Sequence, residues 1–103
     1  MTNIAVIGAG GRMGKALIET IAATDGVQLK GALENPQSSL IGVDAGELAG
    51  IGRNNIALVA SLQEIVGDFD ILIDFSIPSV TAANAAFCAA HGKKMVIGTT
   101  GLD

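Results

Sequence analysis

Four glycines occupy seven positions in "GAGGRMG", residues 8–14, between an apolar run and a helix-like stretch. Glycine loses more conformational entropy on folding than any other residue, so the cluster indicates either a turn with positive φ or a close approach to the backbone. One chemistry needs such a backbone, because the free N–H groups at the start of a helix bind phosphate. The alternative that the motif itself leaves open is a strained turn without a ligand.

The glycine spacing departs from the common dinucleotide fingerprint. Gly-x-Gly-x-x-Gly starting at Gly8 would require glycine at position 13, where the chain has Met13. The chain offers Gly8, Gly11 and Gly14 at equal intervals, with Gly10 in addition. In such a turn the first glycine makes the tight bend, the middle one admits the pyrophosphate, and the last lets the helix pack on the strand. The pattern therefore predicts a pyrophosphate-binding turn.

A carboxylate follows at a suitable distance. Glu34 ends the second apolar run, 24 residues after Gly10. An acidic residue about 20 residues beyond the glycines commonly accepts hydrogen bonds from adenosine ribose hydroxyls. Taken alone, Glu34 could also be an ordinary solvated carboxylate.

The elements that must position these residues alternate between strand and helix patterns. A helical stripe runs over 13–21, and an alanine-rich helix is predicted from Pro78 to His91. Ser61 and Glu64 have the spacing of a capping box. "DAGEL" predicts a short helical turn within the Gly-, Ser- and Asn-rich segment 36–55. Apolar runs predict strands at 3–8, 27–34, 56–60, 69–76 and 94–100.

This alternation predicts an α/β fold, a Rossmann-like doubly wound parallel sheet in three α/β/α layers. Ligands of such sheets bind beyond the carboxyl ends of the strands, at the topological switch point. Three strand ends carry unusual residues, namely Gly8–Gly14, Glu34-Asn35 and Gly98-Thr99-Thr100. We expect the site where these ends meet.

The composition of the chain argues against several classes of function. The 103 residues suffice for one domain, and the net charge is −4 with three Phe and neither Trp nor Tyr. Nucleic-acid binding is not expected, since a basic stripe and stacking rings are both missing. The chain shows no apolar run of about 20 residues and no signal segment, so no membrane partner is expected. With the single Cys88, this favours a cytoplasmic location.

Several residues invite chemistry that the pattern does not support. Cys88 and His91 share a helix face, but a buried thiol and a helix-end imidazole explain them better than a nucleophile and its base. Asp70 and Asp74 lie on one side of a predicted strand, too far apart for an acid–base pair. The adjacent lysines 93 and 94 are predicted as surface charge, and no metal site is expected.

Five motifs together, "GAGGRMG", "DAGELAG", "DFS-x-P", "AFC-x-x-HGK" and "MVIGTTG", resemble the dihydrodipicolinate reductase family. Its members are nicotinamide-dependent enzymes of the diaminopimelate–lysine pathway. The resemblance covers all 103 residues and implies that 1–103 is a dinucleotide-binding domain, truncated before the family's substrate domain. It implies cofactor contacts at Gly8, Ala9, Gly10, Gly11, Arg12, Met13, Glu34, Asn35, Phe75, Ser76, Gly98, Thr99 and Thr100.

The resemblance also implies roles. The turn from Gly8 to Met13 would bind the pyrophosphate, Glu34 the adenosine ribose, and Thr100 a carboxylate of a small dicarboxylate substrate. The family's catalytic His and Lys match nothing here, so this chain would hold no catalytic residue and would show no turnover alone. The longer protein would be a homotetramer that reduces a dihydrodipicolinate-type intermediate to tetrahydrodipicolinate.

NADH and NADPH are both possible cofactors. Many relatives carry Arg after the ribose-binding acid, whereas Asn35 and Pro36 follow Glu34 in this chain, so NADH is expected to be favoured. Arg53 could still supply the missing charge. The alternatives to a reductase are a non-catalytic dinucleotide-sensing module and another enzyme with the same opening domain, such as homoserine or aspartate dehydrogenase.

Overall fold

A parallel sheet is the central layer of the structure, a computed structural model that describes residues 1–75 and 78–98, with Pro78 and Ser79 described in their backbone only. Within those residues the sheet has five strands in the order β3-β2-β1-β4-β5. Their bounds are β1 Thr2–Ile7, β2 Val27–Leu33, β3 Leu58–Val59, β4 Ile71–Asp74 and β5 Lys94–Ile97.

Three α-helices and one 3₁₀ turn connect these strands. The helices are α1 Arg12–Ala22, α2 Ala45–Ala49 and α3 Pro78–Ala90, and the 3₁₀ turn is Leu62–Ile65. In α1, Gly14, Ile18 and Ile21 are buried, which follows the stripe that the sequence predicts. Since none of these helices is both long enough and apolar enough, none in the described ranges could cross a membrane.

Alternate side chains of the strands point to opposite faces of the sheet, and each face is covered. On one face, Ile7 and Leu72 pack with Phe69 of the connection and Cys88 of α3. On the other face, residues of β2 and β3 pack with Ile18 of α1 and Ala45 of α2. The predicted three-layer, doubly wound architecture is therefore confirmed. The direction of winding reverses between β1 and β4.

Strand β3 is shorter than predicted because its chain also pairs on the other side. Only Leu58–Val59 join β2. On the other side, residues 56–58 run antiparallel to residues 42–45: Gly42 N–H donates to Leu58 O at 2.8 Å, and Ala45 N–H donates to Ile56 O at 2.7 Å. An isolated bridge joins Asp44 and Ala57. This loop thus covers the β3 edge of the sheet.

One buried carboxylate accepts three of the hydrogen bonds that hold this loop together. Asp44 caps α2 by accepting from Glu47 N–H at 3.0 Å. It also accepts from the N–H groups of Asn54 at 3.0 Å and Asn55 at 2.7 Å. "DAGEL" therefore forms the predicted helical turn, within a hydrogen-bonded loop that the sequence pattern does not reveal. We call residues 42–57 the Asp44 loop.

Three local predictions need correction. Ser61 does cap the 3₁₀ turn, but its Oγ accepts from Gln63 N–H at 3.2 Å. In a capping box it would accept from the N–H of Glu64. β4 begins at Ile71, so Asp70 lies just before the strand predicted to contain it; it accepts from Asn3 N–H at 3.0 Å, while Asp74 is fully buried. Lys93 is not surface charge: it is half-buried and donates to Phe69 O at 2.7 Å. Lys94 is exposed, as predicted.

Candidate functional site

The glycine turn joins the end of β1 to the start of α1. Gly8 has φ 85, a left-handed conformation that glycine adopts without strain. The N–H groups of Gly8 and Ala9 both donate to Leu33 O at 3.1 Å, which fixes the turn to the end of β2. The first glycine therefore makes the predicted tight bend.

Gly14 lets α1 pack on this turn. A Cβ built at Gly14 would overlap with the backbone oxygen of Gly8 and lie 2.7 Å from the Cα of Ala9. Because both are backbone atoms of a turn already bonded to β2, they have little room to move. The third glycine has the predicted role of close helix–strand packing.

Gly11 behaves differently, because the fold does not require glycine there. Its φ of −81 and ψ of 171 are extended backbone, and a Cβ would meet only Gly8 O, at 3.4 Å. Gly11 is the N-cap of α1, and no side chain caps that helix. The first-turn N–H groups of a helix have no intrahelical acceptor and carry partial positive charge. Arg12 and Met13 are exposed at this helix start, which leaves it suited to an anion.

Glu34 lies against the same turn. Its Oε2 accepts from Gly10 N–H at 2.6 Å, and its Oε1 accepts from Asn35 N–H at 3.1 Å. A Cβ at Gly10 would lie 2.7 Å from Glu34 Oε2 and 2.6 Å from Leu40 Cδ1. Glu34 and the glycine turn thus meet at the ends of β1 and β2, where the sequence predicts the site. Leu40 had no role in that prediction.

A cleft of ≈ 720 Å³ opens at these strand ends. This volume lies within the usual range of small-molecule sites, about 300–1,000 Å³. The cleft is lined by residues at the ends of β1, β2, β3 and β4, by the start of the 3₁₀ turn, and by α3; they include Gly8, Glu34, Asn35, Ser61, Phe75, Asn84 and Phe87. It therefore lies at the predicted switch point.

The α3 wall of the cleft is absent from the sequence prediction. Val80, Ala83, Asn84 and Phe87 line it, and their spacing of three, four and seven residues defines one helix face. That spacing is the signal that could have identified the wall. Asn84 Nδ2 donates to Asp74 Oδ2 at 3.1 Å, which connects this face to a fully buried carboxylate at the end of β4.

The ends of β4 and β5 also lie together. Gly98 N–H donates to Asp74 O at 2.8 Å, and a Cβ at Gly98 would overlap with the Phe75 ring. Phe75 and Gly98 are thus neighbours, with Phe75 facing the cleft. The predicted site residues Ser76, Thr99 and Thr100 lie outside the described residues.

Cys88 and His91 occupy the ordinary positions predicted for them. Cys88 is buried in the core, where burial and the nearby Asp74 raise the pKa of its thiol, partly offset by Lys93. His91 is exposed after α3, stacks on Phe87 and places Nδ1 2.8 Å from the Phe87 carbonyl oxygen. Over residues 1–75 and 78–98, no group of three His, Cys, Asp or Glu side chains is placed to hold a metal ion.

The sheet order, the left-handed turn after β1 and the cleft at the switch point define a Rossmann-like α/β fold. The chain belongs to the family described as Dihydrodipicolinate reductase, N-terminus, which it matches over residues 2–103. It is 57% identical over 102 residues to the 4-hydroxy-tetrahydrodipicolinate reductase of Saccharophagus degradans. That comparison covers 99% of this chain and 38% of the relative, so the chain spans well under half of the relative's length.

Solved structures share the fold. The dipicolinate-bound dihydrodipicolinate reductase from Paenisporosarcina sp. TG-14 has a TM-score of 0.75 at 20% identity, over 100% of this chain and 39% of that one. RSP in complex with β-NADH has a TM-score of 0.70 at 21% identity, over 94% of this chain and 45% of that one. At these identities the similarity shows the fold alone.

Proposed function

We propose that this chain is the dinucleotide-binding domain of a longer reductase, in which NADH or NADPH reduces a dihydrodipicolinate-type intermediate to tetrahydrodipicolinate. The observation that carries the proposal is the contact of Glu34 with Gly10 beside the uncapped start of α1. Membership of the family supports this choice of reaction. The homotetramer and the cytoplasmic location implied by the resemblance belong to the same proposal.

The described residues suit the parts of a dinucleotide. The start of α1 would bind the pyrophosphate through backbone N–H groups, with Arg12 adding charge. Glu34 would accept from the adenosine ribose hydroxyls, and the cleft between Asn35 and α3 would hold the adenine. Phe75 and Gly98 would border the nicotinamide end, where the resemblance also puts Ser76, Thr99 and Thr100. The bound nicotinamide would supply the hydride, and this chain would bind and orient the dinucleotide.

The surroundings of Glu34 favour NADH within this proposal. Asn35 has a neutral amide side chain and therefore brings no positive charge; it is exposed, and its Oδ1 accepts from Gln37 N–H at 2.8 Å. Arg53, the alternative source of charge, instead contacts Glu47 at 3.3 Å and Asn55 at 3.0 Å. A carboxylate beside an unneutralised 2′-phosphate is repulsive, so NADPH is expected to bind more weakly than NADH.

Replacement of Gly11 tests the phosphate site. We expect Gly11→Val to abolish NADH binding, because its side chain would project from the N-cap of α1 to where the pyrophosphate meets backbone. The extended φ and ψ of Gly11 admit valine, so the variant is expected to fold. Calorimetry on the wild-type and variant chains, with circular dichroism to verify folding, measures the effect.

Gly67→Val is the matched control, since Gly67 is exposed and a Cβ there would meet nothing within 4 Å. It should bind NADH like the wild type. A folded Gly11→Val chain that binds NADH with unchanged affinity would contradict the phosphate site.

Addition of an arginine after Glu34 tests both the cofactor preference and the reaction. In the longer protein that carries this chain, we expect substrate-dependent oxidation of NADH, with kcat/KM higher for NADH than for NADPH. Asn35→Arg should shift that ratio toward NADPH by about ten- to a hundredfold, because a charge-assisted hydrogen bond is worth about 1.5–3 kcal/mol.

Gln37→Arg adds the same charge two residues further along the exposed loop and should shift the ratio much less. A wild-type preference for NADPH of about tenfold or more, equivalent to about 1.4 kcal/mol, would overturn the preference argued here. Binding of NADH without any turnover on the dicarboxylate substrate would favour the sensing module instead.

A further inference from the structure

We propose that Leu40 is a positioning residue that holds the Glu34 carboxylate on Gly10 and thereby sets the preference between NADH and NADPH. The proposal rests on the proposed function, since it assigns Leu40 a role in the same site. Leu40 lies in the loop after β2, outside the residues that the sequence motifs single out.

Three groups share one small space beside the glycine turn. The position that a Cβ of Gly10 would take lies 2.6 Å from Leu40 Cδ1 and 2.7 Å from Glu34 Oε2. Gly10 therefore lacks a side chain where Leu40 and Glu34 converge. Leu40 Cδ1 therefore borders the space beside the Glu34 carboxylate, whose Oε2 accepts from Gly10 N–H at 2.6 Å.

Leu40 is itself held by the neighbouring backbone. Its N–H donates to Ser38 Oγ at 3.1 Å, and its carbonyl accepts from Val43 N–H at 3.0 Å. Gly42 N–H in turn donates to Leu58 O, which fixes the start of the Asp44 loop to β3. The Leu40 side chain is half-buried against the core cluster on the α1 face of the sheet, formed by Ala9, Ile18, Ala32, Ala45 and Leu58.

This arrangement limits the freedom of Glu34 before any ligand binds. A glutamate side chain has several staggered rotamers, and ordering it on binding costs affinity. Leu40 removes part of that cost for a ligand that uses the carboxylate as an acceptor, such as a ribose with a free 2′-hydroxyl. For a ribose 2′-phosphate the same confinement is unfavourable, because the two negative groups are kept together. Leu40 therefore favours NADH over NADPH without contacting either.

The test is the affinity of Leu40→Ala for each cofactor, measured by calorimetry on the full chain. We expect the Kd for NADH to rise about five- to tenfold, in line with the loss of one well-placed hydrogen bond, while the Kd for NADPH stays the same or falls. Leu48→Ala is the matched control. Leu48 packs against the same cluster from α2, so this variant should lose stability without a change in the ratio of the two Kd values.

A second variant approaches the same space from the other side. In Gly10→Ala the nearest neighbours of the new methyl group would be the ends of the Leu40 and Glu34 side chains, which can move aside. We expect the chain to fold and its NADH affinity to fall. Combining Gly10→Ala with Leu40→Ala should restore part of that affinity, because the double variant relieves the crowding. If Leu40→Ala does not fold, Leu40→Val replaces it in the test, and its ratio of the two Kd values is expected to change in the same direction.

The outcomes separate this inference from the proposed function. If the wild-type chain binds NADH and Leu40→Ala weakens NADH and NADPH equally, the positioning role is wrong and the proposed function stands. If the wild-type chain binds neither cofactor, the proposed function fails and the inference fails with it. A shift in the ratio for Leu40→Ala with none for Leu48→Ala supports the positioning role.

Discussion

The carboxylate of Asp44 illustrates how much a single residue can organise. Burial on its own would raise the pKa of Asp44, but the backbone N–H groups of Glu47, Asn54 and Asn55, together with the charge of Arg53, outweigh that effect. The pKa of Asp44 therefore lies below its usual value of 3.8. Since the folded pKa is depressed, ionised Asp44 stabilises the fold at pH values above 3.8, and this stabilisation is lost as pH falls toward the folded pKa.

Replacement of Asp44 by its amide should reveal this pH dependence. We expect Asp44→Asn to lower Tm at pH 6, because an amide oxygen accepts fewer of the three N–H groups and its own NH₂ opposes the rest. Below pH 3.8 the difference from the wild type should shrink, since Asp44 of the unfolded wild-type chain then takes up a proton that the folded chain binds less readily. Thermal unfolding by circular dichroism between pH 6 and pH 3 measures both.

Asp68→Asn is the control, because it also removes one negative charge, but from an exposed position. Its Tm should follow that of the wild type across the pH range. A gap between wild type and Asp44→Asn that stays constant from pH 6 to pH 3 would contradict the role assigned to the ionised form.

Single residues differ in how far their roles could be predicted from the sequence. The placement of Glu34 beside the glycine turn could be predicted, because parallel neighbouring strands bring their carboxyl ends to one edge. Leu40 could not, because its contact with Gly10 depends on the path of an irregular loop that no periodicity describes. Lys93 was misassigned for a similar reason: its bond to Phe69 O forms across two connections distant in sequence.

Among the elements, α1 and the turn before it depend most on one small residue. Alanine usually stabilises a helix relative to glycine by about 0.8–1.0 kcal/mol. At position 14 the sign should reverse, because a Cβ there would overlap with the Gly8 backbone oxygen. We expect Gly14→Ala to reduce the free energy of unfolding by about 3 kcal/mol, the upper part of the usual range for overpacking. Urea unfolding measures the change.

Ala16→Gly is the reciprocal control, at an exposed position of the same helix. It should cost about 1 kcal/mol from helix propensity alone. A Gly14→Ala chain that is as stable as the wild type, or more so, would show that α1 does not need close contact with the turn.

Element types could be predicted more reliably than element lengths. The five strands and the helices α1 and α3 were predicted in order, because their apolar periodicities are local. Residues 56–57 were assigned to β3, but they lie within the Asp44 loop: Ile56 O accepts from Ala45 N–H, and Ala57 forms a bridge with Asp44. An apolar composition does not distinguish this pairing from that of a strand in the sheet. The spacing of the α3 residues predicts that they share one helix face. That this face lines the cleft depends on the position of the neighbouring strands.

At the scale of the whole molecule, the strand order places β1 at the centre, between β2 and β4. The doubly wound order could be predicted, because crossover connections and their handedness leave few alternatives. The cleft follows from the same order. The chain leaves the end of β1 toward one face of the sheet and the end of β4 toward the other face, and the cleft opens between these two connections. Its volume and lining depend on loops and so could not be predicted.

The central place of β1 has a consequence for how the chain is made. Ile4 pairs with Leu29 on one side and with Ile71 on the other, so β1 is synthesised 67 residues ahead of its second partner. At about 5–20 residues per second, a ribosome needs roughly 3–13 s to supply that stretch. Until then the apolar strand at the core of the sheet has one edge unpaired. During those seconds the exposed edge of β1 can pair with another strand, so the nascent chain is open to misassembly through that edge.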